Sequence, residues 1–451
     1  MTMQKENKMG VWPENKLLLN MCIPIMISML VQALYNVVDT YFVSLMETRT
    51  DAITALGLAF PVQNLMIAVA VGMGVGMSAL LSRALGEKRQ DRANTVAMQG
   101  IFISALCFVL FALAGALFSR WFIGLQTTNA QVIDFGDSYL SICCIFSLGI
   151  FMQVTMERLL QSTGKTMLSM VTQGAGAITN IILDPIFIFG WGFIPQMGVA
   201  GAAVATVIGQ WVAALVGLWF NVKYNKELSL QARKLRPNPR ILKQISIIGI
   251  PSIIMSAIGS VMTFCMNKIL EPFQKEQAVA LFALYFKLQS FVFMPVFGLN
   301  NGMVPIVAYN LGARKRSRMI KTLKLSAIYA TVIMLAGLLV MQTMPDLVLK
   351  LFNADADMMA TGVPAFRIIS LCFVFAGVSI VMCSMCQAVG SSIYSMFVSI
   401  GRQLVILIPA AWLLAKTGNA VTVFWAFPIA EVVALFLCLF FLRKVLKRLD
   451  F

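Results

Sequence analysis

The chain has 451 residues, 59% of them hydrophobic and only 12% charged, with a mean hydropathy of +0.84. An ordinary soluble domain carries roughly 25% charged residues, so this composition excludes one and points to a surface that faces lipid. The net charge is +16 and there is no histidine, which removes every reading that needs an imidazole ligand, base or proton relay.

Apolar runs long enough to cross a bilayer as helices recur along the whole chain. They predict spans near 17–43, 53–81, 94–117, 132–155, 166–190, 198–221, 244–268, 278–306, 322–343, 361–385, 392–414 and 420–442. The expected fold is therefore an all-α integral membrane protein with twelve transmembrane helices. The segment 1–16 is polar and the apolar run after it is too long for the core of a cleavable signal peptide, so no such peptide is expected. The nine cysteines lack the paired spacing of a zinc site and are expected to be buried free thiols.

Orientation follows from Lys and Arg. With the N-terminus inside, the alternate segments on that side hold 26 basic residues, against six in the outer loops and three (Lys287, Arg367 and Arg402) within spans. That asymmetry is the positive-inside pattern. It places both termini in the cytoplasm, and it explains the net charge as bases that fix topology and face anionic lipid rather than a nucleic-acid surface. In this reading Arg158 belongs to an inside segment, 156–165. The longest inside segment, 222–243, carries Arg233, Lys234, Arg236 and Arg240 with Pro237 and Pro239 and is expected to link two halves, 1–221 and 244–451.

Self-comparison supports that division. At a constant offset of 226, Gln63 matches Gln289, Gly72 matches Gly298, and Gly76-Met77 matches Gly302-Met303. Leu85-Gly86 then falls on Leu311-Gly312, Gln161 on Gln387, Gly164 on Gly390 and Ser169-Met170 on Ser395-Met396. Several matches in one register over about 100 residues mark a true repeat. Six helices used twice give two homologous six-helix lobes with the same orientation, related by an axis along the membrane normal. Rocking of two lobes about a central cleft is the transport mechanism such a repeat suggests.

At this point the chain resembles the MATE (multidrug and toxic compound extrusion) family, in its DinF/MepA-like bacterial branch. The resemblance rests on the Pro24 segment, Gly72-Met73-Gly74-Val75-Gly76-Met77, and Gln161-Ser162-Thr163-Gly164. Its most specific part is Asn180-Ile181-Ile182-Leu183-Asp184-Pro185, followed by the run from Gly198 to Thr206. The resemblance implies an antiporter in the bacterial plasma (inner) membrane. Inward flow of H+ or Na+ would drive export of amphipathic, often cationic compounds. No cofactor is expected beyond the coupling ion. The expected partners are the bilayer and small substrates, with no nucleic acid, and the chain is expected to act as a monomer.

Charges in mid-bilayer cost at least ~2.5 kcal/mol on insertion scales and mark candidate sites. The hydropathic spans enclose Asp39, Asp184, Lys287, Arg367, Arg402 and Glu431. Counting along the helices puts Asp39 roughly 34 Å up the first span and Asp184 roughly 27 Å up the fifth, both in the outer half. Asn180 shares a helix face with Asp184. Thr206 lies at a similar depth, with Ala202 one turn above it offering a carbonyl near Pro185. These hard oxygen groups suit Na+, and a carboxylate pair suits H+. The matching family positions carry the cation-coupling role. The pair is absent from the second lobe, where Ala410 falls opposite Asp184. There, matched depths predict a Lys287–Glu431 ion pair, with Arg402 sharing Glu431 or meeting an anionic substrate. A substrate cavity is expected to draw on Gln32, Tyr35, Gln63, Gln289, Met66, Met152, Met156, Met255, Met262, Met294 and Arg402. The alternative function is a flippase for lipid-linked oligosaccharides, whose cleft would be basic. An enzyme is not expected, since histidine, a metal-ligand cluster and a nucleophile motif are all absent from the sequence, and the lack of a Walker-type phosphate-binding loop argues against an ATP-driven pump.

Overall fold

The computed structural model describes residues 7–192, 194–273, 277–350 and 356–449. Their long apolar runs form helices because a chain in lipid must satisfy every backbone N–H and C=O internally. Ten helices are long and apolar enough to span, and two bent pairs bring the total to twelve when each pair is one span. In the first half these are α1 (Glu14–Ser44), α2 (Arg49–Gly86), α3 (Gln90–Gly124), α4 (Ala130–Ile145 with Leu148–Ser162), α5 (Thr166–Phe189) and α6 (Val199–Lys223). The second half has α7 (Pro239–Leu270), α8 (Gln277–Gly312), α9 (Arg316–Thr343), α10 (Ala356–Ser370 with Phe373–Ala388), α11 (Ser392–Ala415) and α12 (Ala420–Lys447). Large apolar side chains such as Leu110, Leu117, Leu339 and Phe436 are exposed on the outside, as lipid-facing positions should be.

The repeat is visible in the backbone as well as in the sequence. The two bent spans are α4 (47°) and α10 (45°), the fourth helix of each half. Lys88 and Arg314 both take positive φ, 58° and 56°, at equivalent turns. Gly164 and Gly390 do the same at 83° and 82°, where the left-handed conformation favours glycine.

The halves meet through glycine. On α2, an added Cβ at Gly76 would come within 2.4 Å of the Ile245 carbonyl oxygen of α7, and one at Gly72 within 2.6 Å of Ile253. The equivalent Gly302 and Gly298 of α8 meet Cys22 and Met26 of α1 at 2.5 and 2.6 Å. A reciprocal pair closes the arrangement: Gly86 faces the Tyr309 carbonyl oxygen, and Gly312 faces that of Arg83. All these approaches lie toward the end of the bundle that carries the basic segments. Below them, the short helix Lys8–Val11 is strapped to the second half. Asn310 Nδ2 donates to the Met9 carbonyl (3.1 Å), Lys315 Nζ to that of Gly10 (2.9 Å), and Glu14 pairs with Arg318 and Lys321. Asn7 also donates to the Thr163 carbonyl of the first half and to Glu227.

The inter-half segment is clamped to α3. Gln99 Nε2 donates to the carbonyls of Lys234 and Arg236, its Oε1 accepts from the Asn238 amide, and Lys234 pairs with Asp91. All nine cysteines are free; Cys107, Cys265 and Cys383 are only partly buried.

Candidate functional site

In the first half, α5 and α6 cross at two glycines. A Cβ on Gly176 or on Gly209 would come within 2.8 Å of the other's carbonyl oxygen. This close approach brings Asn180 of α5 against Thr206 of α6: Asn180 Nδ2 donates to Asp184 Oδ1 at 3.1 Å and to Thr206 Oγ1 at 3.4 Å. Asp184 is fully buried and Asn180 is 3% exposed. Pro185 has no N–H, so the Ile181 carbonyl one turn back receives no helical donor. Ala202 lies on α6 one turn from Thr206 and is fully buried. Asp39 of α1 lies within electrostatic range of Asp184, Tyr35 and Tyr139. Three acceptors remain without any hydrogen-bond partner: Asp39 Oδ1, Asp184 Oδ2 and Asn180 Oδ1. Buried polar atoms are nearly always paired. Orphaned oxygens on two carboxylates and an amide fit a proton or a small hard cation, the chemistry of a coupling ion.

A narrow polar space of about 70 Å³ continues from this cluster through the first half. Its polar lining includes Asn180, Thr206, Gln32, Tyr35 and Gln173 together with Gln153, Glu157, Arg158 and Gln161. Glu157 and Arg158 correct the sequence reading. They belong to the second segment of α4, Leu148–Ser162, and are 8% and 6% exposed. Hydropathy ends a span where two charges fall together. Here each group is hydrogen-bonded inside the protein, Glu157 by Gln153 Nε2 (3.1 Å) and Arg158, through one terminal nitrogen, by Gln161 and by Asn301 of the second half (3.2 and 3.0 Å). The available signal was the run of Gln153, Glu157 and Gln161 at helical spacing.

Between the halves lies a cavity of about 510 Å³. Of the residues expected to line it, Gln32, Met255, Met294 and Arg402 do so. The others pack elsewhere. Gln63 donates to the Tyr139 hydroxyl at 3.0 Å, and Gln289 buries its Oε1 without a partner. Met66 sits against Ile150 and Phe151, Met156 accepts from Asn221, and Met152 and Met262 belong to the large core shared by both halves. Tyr35 lines the narrow polar space instead. Equivalence in the repeat did not carry the two glutamines to the cavity.

The expected Lys287–Glu431 pair is also corrected. Lys287 is exposed, and Glu431 Oε1 accepts from Arg402 Nη1 at 3.0 Å. Arg402 is the second residue of a π-helical stretch, Gly401–Leu407, within α11. Such widened turns frequently occur at functional sites. Arg367 is exposed on α10, where its long stem allows snorkelling.

Twelve membrane helices in two repeated halves about a common cavity, with a buried acid cluster inside one half, define a membrane transporter. The MatE family model matches residues 24–186 and again 251–413, so the chain belongs to the MATE family of transporters. It is 26% identical over 434 residues to the multidrug export protein MepA of Staphylococcus haemolyticus (strain JCSC1435), covering 96% of this chain and 94% of that protein. MepA of Staphylococcus aureus (strain MSSA476) is similarly 26% identical, over 93% of this chain and 91% of its own. An outward-facing MATE transporter of the MOP superfamily superposes with a TM-score of 0.92 at 24% identity over all of both chains. A MOP superfamily transporter from Pyrococcus furiosus Vc1, whose binding pocket is described as reversed in polarity, superposes at 0.91 with 25% identity, also over all of both.

Proposed function

We propose that this protein is a secondary active multidrug exporter of a bacterial inner membrane, with both termini cytoplasmic. Antiport of H+ or Na+ drives the expulsion of amphipathic compounds. Asp39, Asp184, Asn180 and Thr206 take the coupling ion, and the cavity between the halves takes the substrate. The observation that carries this reading is the set of three partnerless buried acceptors on Asp39, Asp184 and Asn180. Seals at Gly76, Gly86, Gly302 and Gly312 close the basic side, so this conformation presents its cavity to the outside. Binding of the ion from outside, followed by release of those seals, turns the cavity inward. The export activity in the names of the Staphylococcus relatives supports the direction of transport.

Dye efflux from vesicles, with ΔpH and a Na+ gradient imposed separately, tests the reading. Asp39→Asn and Asp184→Asn are each expected to abolish gradient-driven efflux while leaving the protein in the membrane. Gradient-driven efflux that survives both changes refutes the coupling assignment. A second reading, a flippase for lipid-linked oligosaccharides, draws on the two guanidinium groups in the cavity wall. It predicts that neither gradient moves the dye.

A further inference from the structure

The wall of the cavity between the halves has an unusual charge pattern. It contains two arginines, Arg158 from α4 and Arg402 from α11, and no aspartate or glutamate. Each arginine has a carboxylate beside it, Glu157 and Glu431, but neither carboxylate is part of the wall. Glu157 is held by Gln153 on the narrow polar space within the first half. Glu431 is 12% exposed and accepts a single hydrogen bond from Arg402. Arg158 and the positive end of the Arg402–Glu431 pair therefore face the cavity without a carboxylate in its wall.

The rest of the wall fits an anion. Asn300 is 5% exposed, and neither its Nδ2 nor its Oδ1 has a partner. Ser379 is 2% exposed, and its hydroxyl is likewise without one. Arg158 spends one terminal nitrogen on Gln161 and Asn301, and Arg402 spends one on Glu431. Among the described residues the other donors of both guanidiniums have no protein partner. Of these wall groups, the Asn300 amide and the Ser379 hydroxyl are buried and unpaired, which costs stability, and the free guanidinium donors beside them suit a ligand that supplies acceptors. Met255, Met294 and Phe297 add an apolar surface, and about 510 Å³ accommodates a drug-sized molecule.

We propose that this cavity binds an amphiphile through an anionic group, a carboxylate, sulfonate or phosphate, held between Arg158 and Arg402 with Asn300 and Ser379 donating alongside. The inference rests on the reading of the cavity as the substrate site, and it replaces the cationic preference implied by the family resemblance. Guanidinium from each half on one anion also makes the substrate a bridge between the halves.

The test is equilibrium binding to the purified full chain in nanodiscs, with no gradient. The probes are 8-anilinonaphthalene-1-sulfonate and N-phenyl-1-naphthylamine, which has nearly the same aromatic body without the sulfonate. The sulfonate is expected to bind about tenfold or more tightly than the neutral amine, the share of one charge-assisted hydrogen bond. Arg158→Gln and Arg402→Gln should each erase that preference, while Arg158→Lys and Arg402→Lys keep part of it. Glu431→Gln removes the counter-charge of Arg402 and should tighten sulfonate binding alone. Thermal unfolding of each variant identifies any that has simply lost its fold, and the two lysine variants and Glu431→Gln carry the test if a glutamine variant has. Displacement of the sulfonate by farnesyl diphosphate but not by naphthoate assigns the anion to a lipid headgroup; displacement by naphthoate assigns it to a free amphiphile. Equal binding of the two naphthyl probes, or tighter binding of a cationic dye that Arg402→Gln leaves unchanged, overturns the proposal. Because no gradient is used, that outcome leaves the coupling role of Asp39 and Asp184 to the efflux assay.

Discussion

The partner of Glu431 lies on the neighbouring helix and does not follow from the depth of Glu431 alone. That partner is Arg402 at 3.0 Å on α11, although counting along the chain puts Lys287 of α8 at a matching depth. An ion pair removed from water stabilises little by itself, yet breaking one side of it leaves an uncompensated charge. Arg402→Met alone and Glu431→Leu alone are each expected to lower stability by about 3–5 kcal/mol, and the double change by much less. Unfolding of the four proteins in detergent measures this, and additive losses would mean that the pair is not coupled. Depth was legible in the sequence because helical rise is fixed at about 1.5 Å per residue. Azimuth was not, because helices apolar nearly all round give no sign of which face meets which neighbour.

At the scale of the elements, glycine sets the distance between helices. Small residues let membrane helices approach closely, where packing rather than hydrophobic transfer holds them together. The reciprocal contacts of Gly86 with Tyr309 and Gly312 with Arg83 leave 1.9 and 2.1 Å for an added Cβ, well inside any tolerable contact. Gly86→Ala and Gly312→Ala are therefore expected to part α2 and α8 on the basic side and shift the population toward the opposite conformation. Spin labels on the ends of α2 and α8 should show a longer distance in both variants. An unchanged distribution would mean that these contacts are not the seal. The repeated G-x-x-x-G-M motif announced the positions of Gly72, Gly76, Gly298 and Gly302. It did not announce that α2 would use its copy against α7 and α8 against α1, since a motif marks a close approach without naming the partner.

Across the whole molecule, the N-terminal strap ties both halves together on the basic side. Burial raises the Glu227 carboxyl above its ordinary value, against the opposing effects of the Asn7 hydrogen bond and of Lys165 and Lys8. A raised carboxyl favours the protonated form in the folded state. The stability it contributes is complete below the ordinary carboxylate value of about 4.3 and is lost as pH rises through the raised one. Protection of the Lys8–Val11 amides, corrected for intrinsic exchange, should therefore weaken as pH rises above the ordinary carboxylate range. Glu227→Gln should flatten that dependence, and a slope unchanged in the variant would assign it to another group.

The sequence by itself determined the architecture: an all-helical membrane protein, twelve spans and two like-oriented halves. Each of these follows from local rules that the bilayer imposes, namely span length, the need for internal backbone hydrogen bonds, and a repeat in register. It also singled out Asp39 and Asp184, because a carboxylate in an apolar run stands out whatever surrounds it, and Asn180 and Thr206 through their helical spacing and depth relative to Asp184. Only the tertiary structure decided which polar groups share a space. It drew Glu157 and Arg158 out of an expected loop into the interior, gave Glu431 to Arg402, left Lys287 exposed, and turned two guanidiniums into one cavity. Those outcomes depend on how helices far apart in the chain rotate and cross, and rotation is set by packing between them rather than by any property a single span carries.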